Sequence, residues 1–194
     1  MNPALIAIST ALALLAGAIP AAHAASAMLA SGGDAVQGLH DALLSTMKNG
    51  RSLGQSGRLA RLQPVMRKTS DLATMSRLSV GPFWATLTET RRRQVTASFG
   101  RYISAIYADR FDSYSGQKLL VTGAQPAGAA IIVGSEIVKA NDEAVKVDYL
   151  MRRNGDSWLI SDIYPNGAIS EVAIRRSEFA ATIKNGAAPA WSRC

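Results

Sequence analysis

Apolar positions along this chain follow one period, then another, then the first again. From Val36 to Phe111 they recur at helical spacing, from Leu119 to Tyr164 they alternate in short β-branched runs, and from Glu171 to Lys184 the helical spacing returns. The first helix is predicted to start at Asp34, which has capping-box spacing with Gln37. It carries Val36, Leu39, His40, Leu43, Leu44 and Met47 on one face until Asn49-Gly50 stops it. A glycine-rich joint, GRSLGQSG, leads into shorter helical pieces around Leu59–Lys68 and Leu72–Ser79, which Pro64 and Gly81-Pro82 interrupt or end. The clearest helix follows Thr88 as cap, with Val95, Phe99, Tyr102, Ile103, Ile106, Tyr107 and Phe111 forming a continuous wall of large side chains.

The runs LLVTG, AAIIVGSEIVKA, EAVKVDYLMRR and SWLISDIY are separated by Gly, Asn and Asp clusters and predict four strands in an antiparallel meander. The fold class is therefore α+β: N-terminal helices, a four-stranded sheet and a C-terminal helix after Ser170, with an NTF2-like cone as one way to arrange them. Asn154-Gly155 is a strong hairpin signal. A tight turn there pairs Arg153 with Asp156, Met151 with Trp158, Tyr149 with Ile160 and Val147 with Asp162. Val147, Tyr149, Met151, Trp158 and Ile160 then share one face. Asp148, Leu150, Arg152, Ser157, Leu159 and Ser161 take the other, where Asp148 is solvated or paired with Arg152.

The N-terminus changes the picture of where this domain works. Leu5 to Pro20 is almost wholly apolar and is followed by Ala22-His23-Ala24, a small-residue cleavage pattern, so residues 1–24 read as a secretory signal peptide. Residues 25–33, ASAMLASGG, read as a flexible arm, residues 34–186 as a single domain and residues 187–194 as a tail. The exported form is expected in the periplasm. All 21 Lys and Arg and all 14 Asp and Glu lie after residue 24, so the exported form keeps the net charge of +7. For a basic exported protein the expected anionic partners are lipid headgroups or an acidic protein face, with no nucleic acid.

Candidate chemistry is sparse. Cys194 is the single cysteine, and of two histidines His23 leaves with the leader, so His40 stands alone on an apolar stripe where a packing role is expected. No metal site, no cofactor and no catalytic residue is expected. A serine nucleophile lacks a base, and the carboxylates Asp109, Asp112, Asp148 and Asp162 have no spacing that faces two of them across a substrate; Asp109, Arg110 and Asp112 read as a local cluster at a helix end. The competing reading is a small-molecule enzyme on an NTF2-like cone, with Tyr149 and Asp162 as its acid-base pair. Arg91, Arg92 and Arg93 oppose the dipole of the helix they begin, which makes them candidates for docking an acidic partner or anionic headgroups.

Four segments, LGQSGRLARLQPVMRKTSDLATMSRLSVGPFW, RYISAIYADRFDSYSG, VKVDYLMRRNGDSWLISDIYPNGAISEVAIRRSEF and IKNG, resemble the MlaC family over about residues 34–186. These are periplasmic lipid-binding components of toluene-tolerance-type ABC transport systems. YADRFDSYSG together with DYLMRR resembles the hopanoid-associated HpnM branch. The resemblance implies a non-catalytic carrier that holds phospholipid or hopanoid chains as cargo in an apolar pocket. It would exchange them between an inner-membrane transporter complex and an outer-membrane partner, in the service of outer-membrane lipid asymmetry. Candidate lipid-binding residues are Val147, Tyr149, Met151, Trp158 and Ile160 on the sheet, with Phe99, Tyr102 and Ile106 on the long helix and Phe83 and Trp84 before it.

Overall fold

The computed structural model of the protein describes residues 21–184. The elements run α1 (Ala21–Lys48), α2 (Gly50–Thr69), α3 (Leu72–Val80), a 3-10 turn (Gly81–Thr86), α4 (Glu89–Arg110), β1 (Lys118–Ala127), β2 (Ala130–Val138), β3 (Ala144–Asn154), β4 (Ser157–Pro165) and α5 (Glu171–Lys184). The strands form a four-stranded antiparallel sheet in the order β1-β2-β3-β4. The class is α+β, as the change of period predicts. Most of the expected leader and all of the tail lie outside the described residues. Among the described residues no helix is long and apolar enough to cross a membrane.

The helical half departs from the sequence expectation in two places. Residues 25–33, expected as a loose arm, belong to α1, and Asp34 lies well inside that helix rather than capping it. Alanine is the strongest helix former, and the glycine that weakens the run has a packing role. Gly32 is buried, and a Cβ there would fall on Ile131 Cδ1 of β2. Gln37 Nε2 donates to Asp41 Oδ1 at 2.9 Å along the helix surface instead of reaching back to a cap. In α2 the chain continues through Pro64, and the break falls earlier, at Gly54 (φ 59°, ψ −179°). Proline costs one backbone bond inside a helix, which burial of Leu62 and Met66 on either side offsets. Gly81 ends α3, and Thr88 caps α4 by accepting from Arg91 N at 3.3 Å, both as expected.

α1 crosses the inner face of the sheet and touches β1, β2 and β4. Its Val36, Leu39 and Leu43 join Val133, Met151 and Ile160 in a core that excludes water almost completely. α2 packs on α1 and α4, and α3 on α4 and α5, so the helices form a second layer over α1's side of the sheet. Arg58 fastens that layer: its Nε donates to Ala108 O at 2.7 Å and its Nη1 to Gly50 O at 3.0 Å, which joins the start of α2 to the last turn of α4. β4 is an edge strand, and the α2–α3 junction covers part of it. Asp71 N donates to Ile160 O at 2.8 Å beside a parallel bridge between Ser70 and Ile160.

Candidate functional site

The hairpin that sorts the sheet's two faces has a different register from the expected one. Asn154 pairs with Ser157, so Gly155 and Asp156 are the central turn residues, and Gly155 alone has a positive φ, +60°. Glycine at the first central position is the pattern of a II′ turn, whereas the expected I′ turn needs positive φ at Asn154 as well. In consequence Met151 pairs with Ile160 and Arg153 with Trp158, and beyond a bulge at Ser161, Tyr149 pairs with Ile163 and Val147 with Pro165. Between the turn and the bulge the partners are displaced by two residues, one full pleat, so Met151, Trp158 and Ile160 keep the inward face; beyond the bulge the displacement is three, which puts Ile163 rather than Asp162 on the face of Val147 and Tyr149. Val147, Tyr149, Met151, Trp158 and Ile160 are all buried.

What they face is packed protein. Tyr149 is 3% exposed, its hydroxyl lies 3.1 Å from His40 Nε2 on α1, and the two rings meet edge-on at 5.7 Å. Burial pushes the His40 pKa down to about 4, partly opposed by the charge of Asp41, and pushes the Tyr149 phenol up. His40 is thus a neutral core residue with one ring nitrogen paired. Asp162 is 8% exposed and, from β4, serves the start of α5. Its Oδ1 accepts from Ile163 N at 2.8 Å and Val172 N at 3.2 Å, and its Oδ2 accepts from Ser170 Oγ at 2.6 Å, while Ser170 Oγ also accepts from Ala173 N. A carboxylate at a helix N-terminus compensates its unpaired N–H groups. Asp162 pairs opposite Leu150, on the face turned away from Tyr149. Each is engaged elsewhere, so the acid-base pair of the enzyme reading is not formed.

The other polar expectations resolve into structural ties. Asp148 pairs with Lys146 at 3.2 Å rather than with Arg152. Arg110 leaves its helix-end neighbours and reaches Glu171 of α5 at 3.1 Å. Glu171 also holds Arg175 at 3.1 Å, and Arg175 in turn holds Glu178 at 2.6 Å. Among the described residues no group of three His, Cys, Asp or Glu side chains is placed to hold a metal ion.

An open site exists in the helical layer. Between α2, α3, α4 and the 3-10 turn lies a groove of about 770 Å³ lined by Gln63, Arg67, Leu72, Ala73, Trp84, Glu89, Arg92, Arg93, Thr96, Ala97, Gly100 and Arg101. Such a volume is in the range of small-ligand sites, roughly 300–1,000 Å³. Helical periodicity builds it: Arg93, Ala97, Gly100 and Arg101 follow one face of α4, and Gln63 and Arg67 stand one turn apart on α2. The floor is small and apolar because Ala73, Ala97 and Gly100 add almost no bulk. A Cβ at Gly100 would lie 2.8 Å from Leu72 Cδ1, so a larger residue there would drive Leu72 into the groove. Trp84 walls one end, held by Arg92, whose Nε donates to Trp84 O at 3.3 Å and whose guanidinium lies 5.9 Å from the indole centre.

Of the candidate lipid-binding residues, Trp84 lines this groove. Trp158 lines a separate depression of about 430 Å³ between α1, α2 and the β3–β4 hairpin. Phe99 and Tyr102 turn toward α5 and meet Phe179 at 6.4 Å and 5.8 Å, Ile106 is half-buried against the core, and Phe83 is exposed. The three consecutive arginines separate. Arg92 turns onto Trp84, Arg93 pairs with Glu89 at 3.3 Å, and Arg91 donates to Gln94 Oε1 at 3.2 Å. Leu72, Ala97 and Gly100 carry no chemical signal in sequence, because a small residue marks a groove only when the opposing helix is known.

Against known proteins, the family model described as MlaC protein matches residues 37–191. The solved structure of the phospholipid-binding protein from Ralstonia solanacearum, in complex with a phospholipid, matches with a TM-score of 0.69 at 20% sequence identity. The match covers 81% of this chain and 90% of that one. At that identity the likeness is one of fold. No curated protein matches this chain.

Proposed function

The chain belongs to the MlaC protein family, and from that premise we propose that it is a non-catalytic periplasmic lipid carrier. In this reading it takes up a phospholipid and passes it between transport components of the inner and outer membranes. The observation that carries the reading is the groove between α2, α3 and α4: a floor of alanine, glycine and leucine under a rim that includes Arg67 and Arg101. An acyl chain would lie on that floor and lose its contact with water, while its phosphate would stay at the arginines, where charge-assisted hydrogen bonds are strong. The phospholipid held by the Ralstonia solanacearum protein of the same fold supports this class of cargo. The reading requires no cofactor. The hopanoid-associated branch, to which YADRFDSYSG and DYLMRR are similar, enters as an alternative cargo that the same measurement separates.

Native mass spectrometry of the purified full chain, followed by analysis of the extracted lipid, tests the proposal. Phospholipid is expected in the wild type. Ala97 is exposed, so Ala97→Trp fills the groove without disturbing the core, and bound lipid is expected to fall at least about tenfold with the unfolding midpoint little changed. Undiminished lipid in Ala97→Trp would move the cargo to the inner face of the sheet, where Met151→Asp is the corresponding probe. A protein that carries no lipid at all, from cells that make both phospholipid and hopanoid, would refute the carrier reading.

A further inference from the structure

On the far side of Trp84 and Arg92 from the groove lies a second depression, of about 530 Å³, whose lining includes Arg77, Arg92 and Arg176 and no carboxylate. Three helices bring these cations together: α3, α4 and α5. The acids that might have neutralised them are committed elsewhere, Glu89 to Arg93, Glu171 to Arg110 and Arg175, and Glu178 to Arg175. Arg77 and Arg176 are exposed, and among the described residues neither side chain has a hydrogen bond or ion pair. Gly81, at a φ of +65°, lets Arg176 lie across the turn, since its Nε would stand 3.2 Å from a Cβ at that position. Three cations around one depression with no carboxylate in its lining favour an anion there.

The same patch presents bare hydrocarbon. Leu78 is 38% and Phe83 44% exposed, at the end of α3 and on the short 3-10 turn, with Pro82 exposed beside them. A leucine at the end of a helix and an aromatic ring on the turn that follows, next to a depression lined by arginines, match the two layers of a bilayer surface: acyl chains just below, phosphates at the level of the cations. An acidic protein face would satisfy the arginines and leave the apolar tip without a counterpart.

We propose that Phe83 and Leu78, with Arg77, Arg92 and Arg176 around them, dock the protein on the surface of an anionic phospholipid bilayer. The docked tip then stands beside the groove, because Trp84 and Arg92 line both. Its use in loading or releasing cargo rests on the carrier reading above, whereas the docking itself does not.

Sedimentation of the full chain with vesicles tests it, using phosphatidylcholine alone and phosphatidylcholine mixed with phosphatidylglycerol. Binding is expected to the mixed vesicles at low salt, at least about tenfold above that to phosphatidylcholine, and to weaken at about 1 M salt, where the Debye length shrinks to about 3 Å. Phe83→Asp and the double variant Arg77→Glu/Arg176→Glu change only exposed side chains. Each is expected to lower partitioning at least about tenfold while native mass spectrometry finds the same bound lipid as in the wild type. Equal binding to both vesicle types, or unchanged binding by these variants, overturns the proposal. A wild type that ignores vesicles yet loses a protein partner when these residues change also overturns it, in favour of a protein interface. The two readings fail separately. A protein that sediments with vesicles but carries no lipid refutes the carrier and keeps the docking surface, and one that carries lipid but does not sediment does the reverse.

Discussion

Single residues carry much of the polar organisation, and His40 is the sharpest case. Its position on the apolar stripe of α1 reads as packing from sequence alone, but its partner, the Tyr149 hydroxyl, lies on a strand far along the chain. Burial lowers its pKa from 6.5 to about 4. The unfolded chain therefore takes up the proton first as pH falls, and the folded state loses stability from about pH 6.5 down to about pH 4, by about 3 kcal/mol in all. His40→Gln keeps a hydrogen-bonding group but no titration. Its unfolding free energy, followed by urea denaturation across that range, is expected to lack this part of the acid slope. An identical slope in both proteins would mean that His40 titrates normally. Asp162 teaches the complementary point. In sequence it is one half of a possible acid-base pair, and in the fold it holds the first turn of α5 through Val172 N and Ser170 Oγ, because the bulge at Ser161 turns it away from Tyr149.

At the scale of elements, the meander, the long helix after Thr88 and the final helix follow directly from period and caps. The hairpin shows how a wrong pairing can leave a face correct: between the turn and the bulge the partners moved by one pleat, the period of side-chain alternation, whereas the extra residue at Ser161 turns β4 over beyond it. The start of α1 was illegible for a different reason. Ser31, Gly32 and Gly33 look like a flexible joint, and only the position of β2 shows that Gly32 is a seat for Ile131. Gly32→Val should force Ile131 to repack and destabilise the protein by about 1–3 kcal/mol, read as a lower urea midpoint at unchanged slope. A loose arm would tolerate the substitution at no cost.

On the scale of the whole molecule, the inner face of the sheet packs against α1 as a core, and the groove of about 770 Å³ lies in the helical layer. A ligand that binds only the folded state stabilises it by mass action, so stripping the lipid should lower the melting temperature by several degrees, and returning phospholipid should restore it. Calorimetry of the natively purified and delipidated protein measures this, and equal midpoints would argue against a cargo bound in the fold. The sequence by itself determined the class, the order of elements, the inward face of β3 and of β4 as far as Ile160, and the family resemblance, because each depends on periods and spacings local to the chain. Only the tertiary structure decided where the open groove lies, which arginines are paired and which are bare, and that Tyr149 and Asp162 serve α1 and α5 instead of each other. Those outcomes depend on which helix face meets which, and Ala97 and Gly100 of α4 become a floor only when α2 and α3, with Ala73, stand beside them.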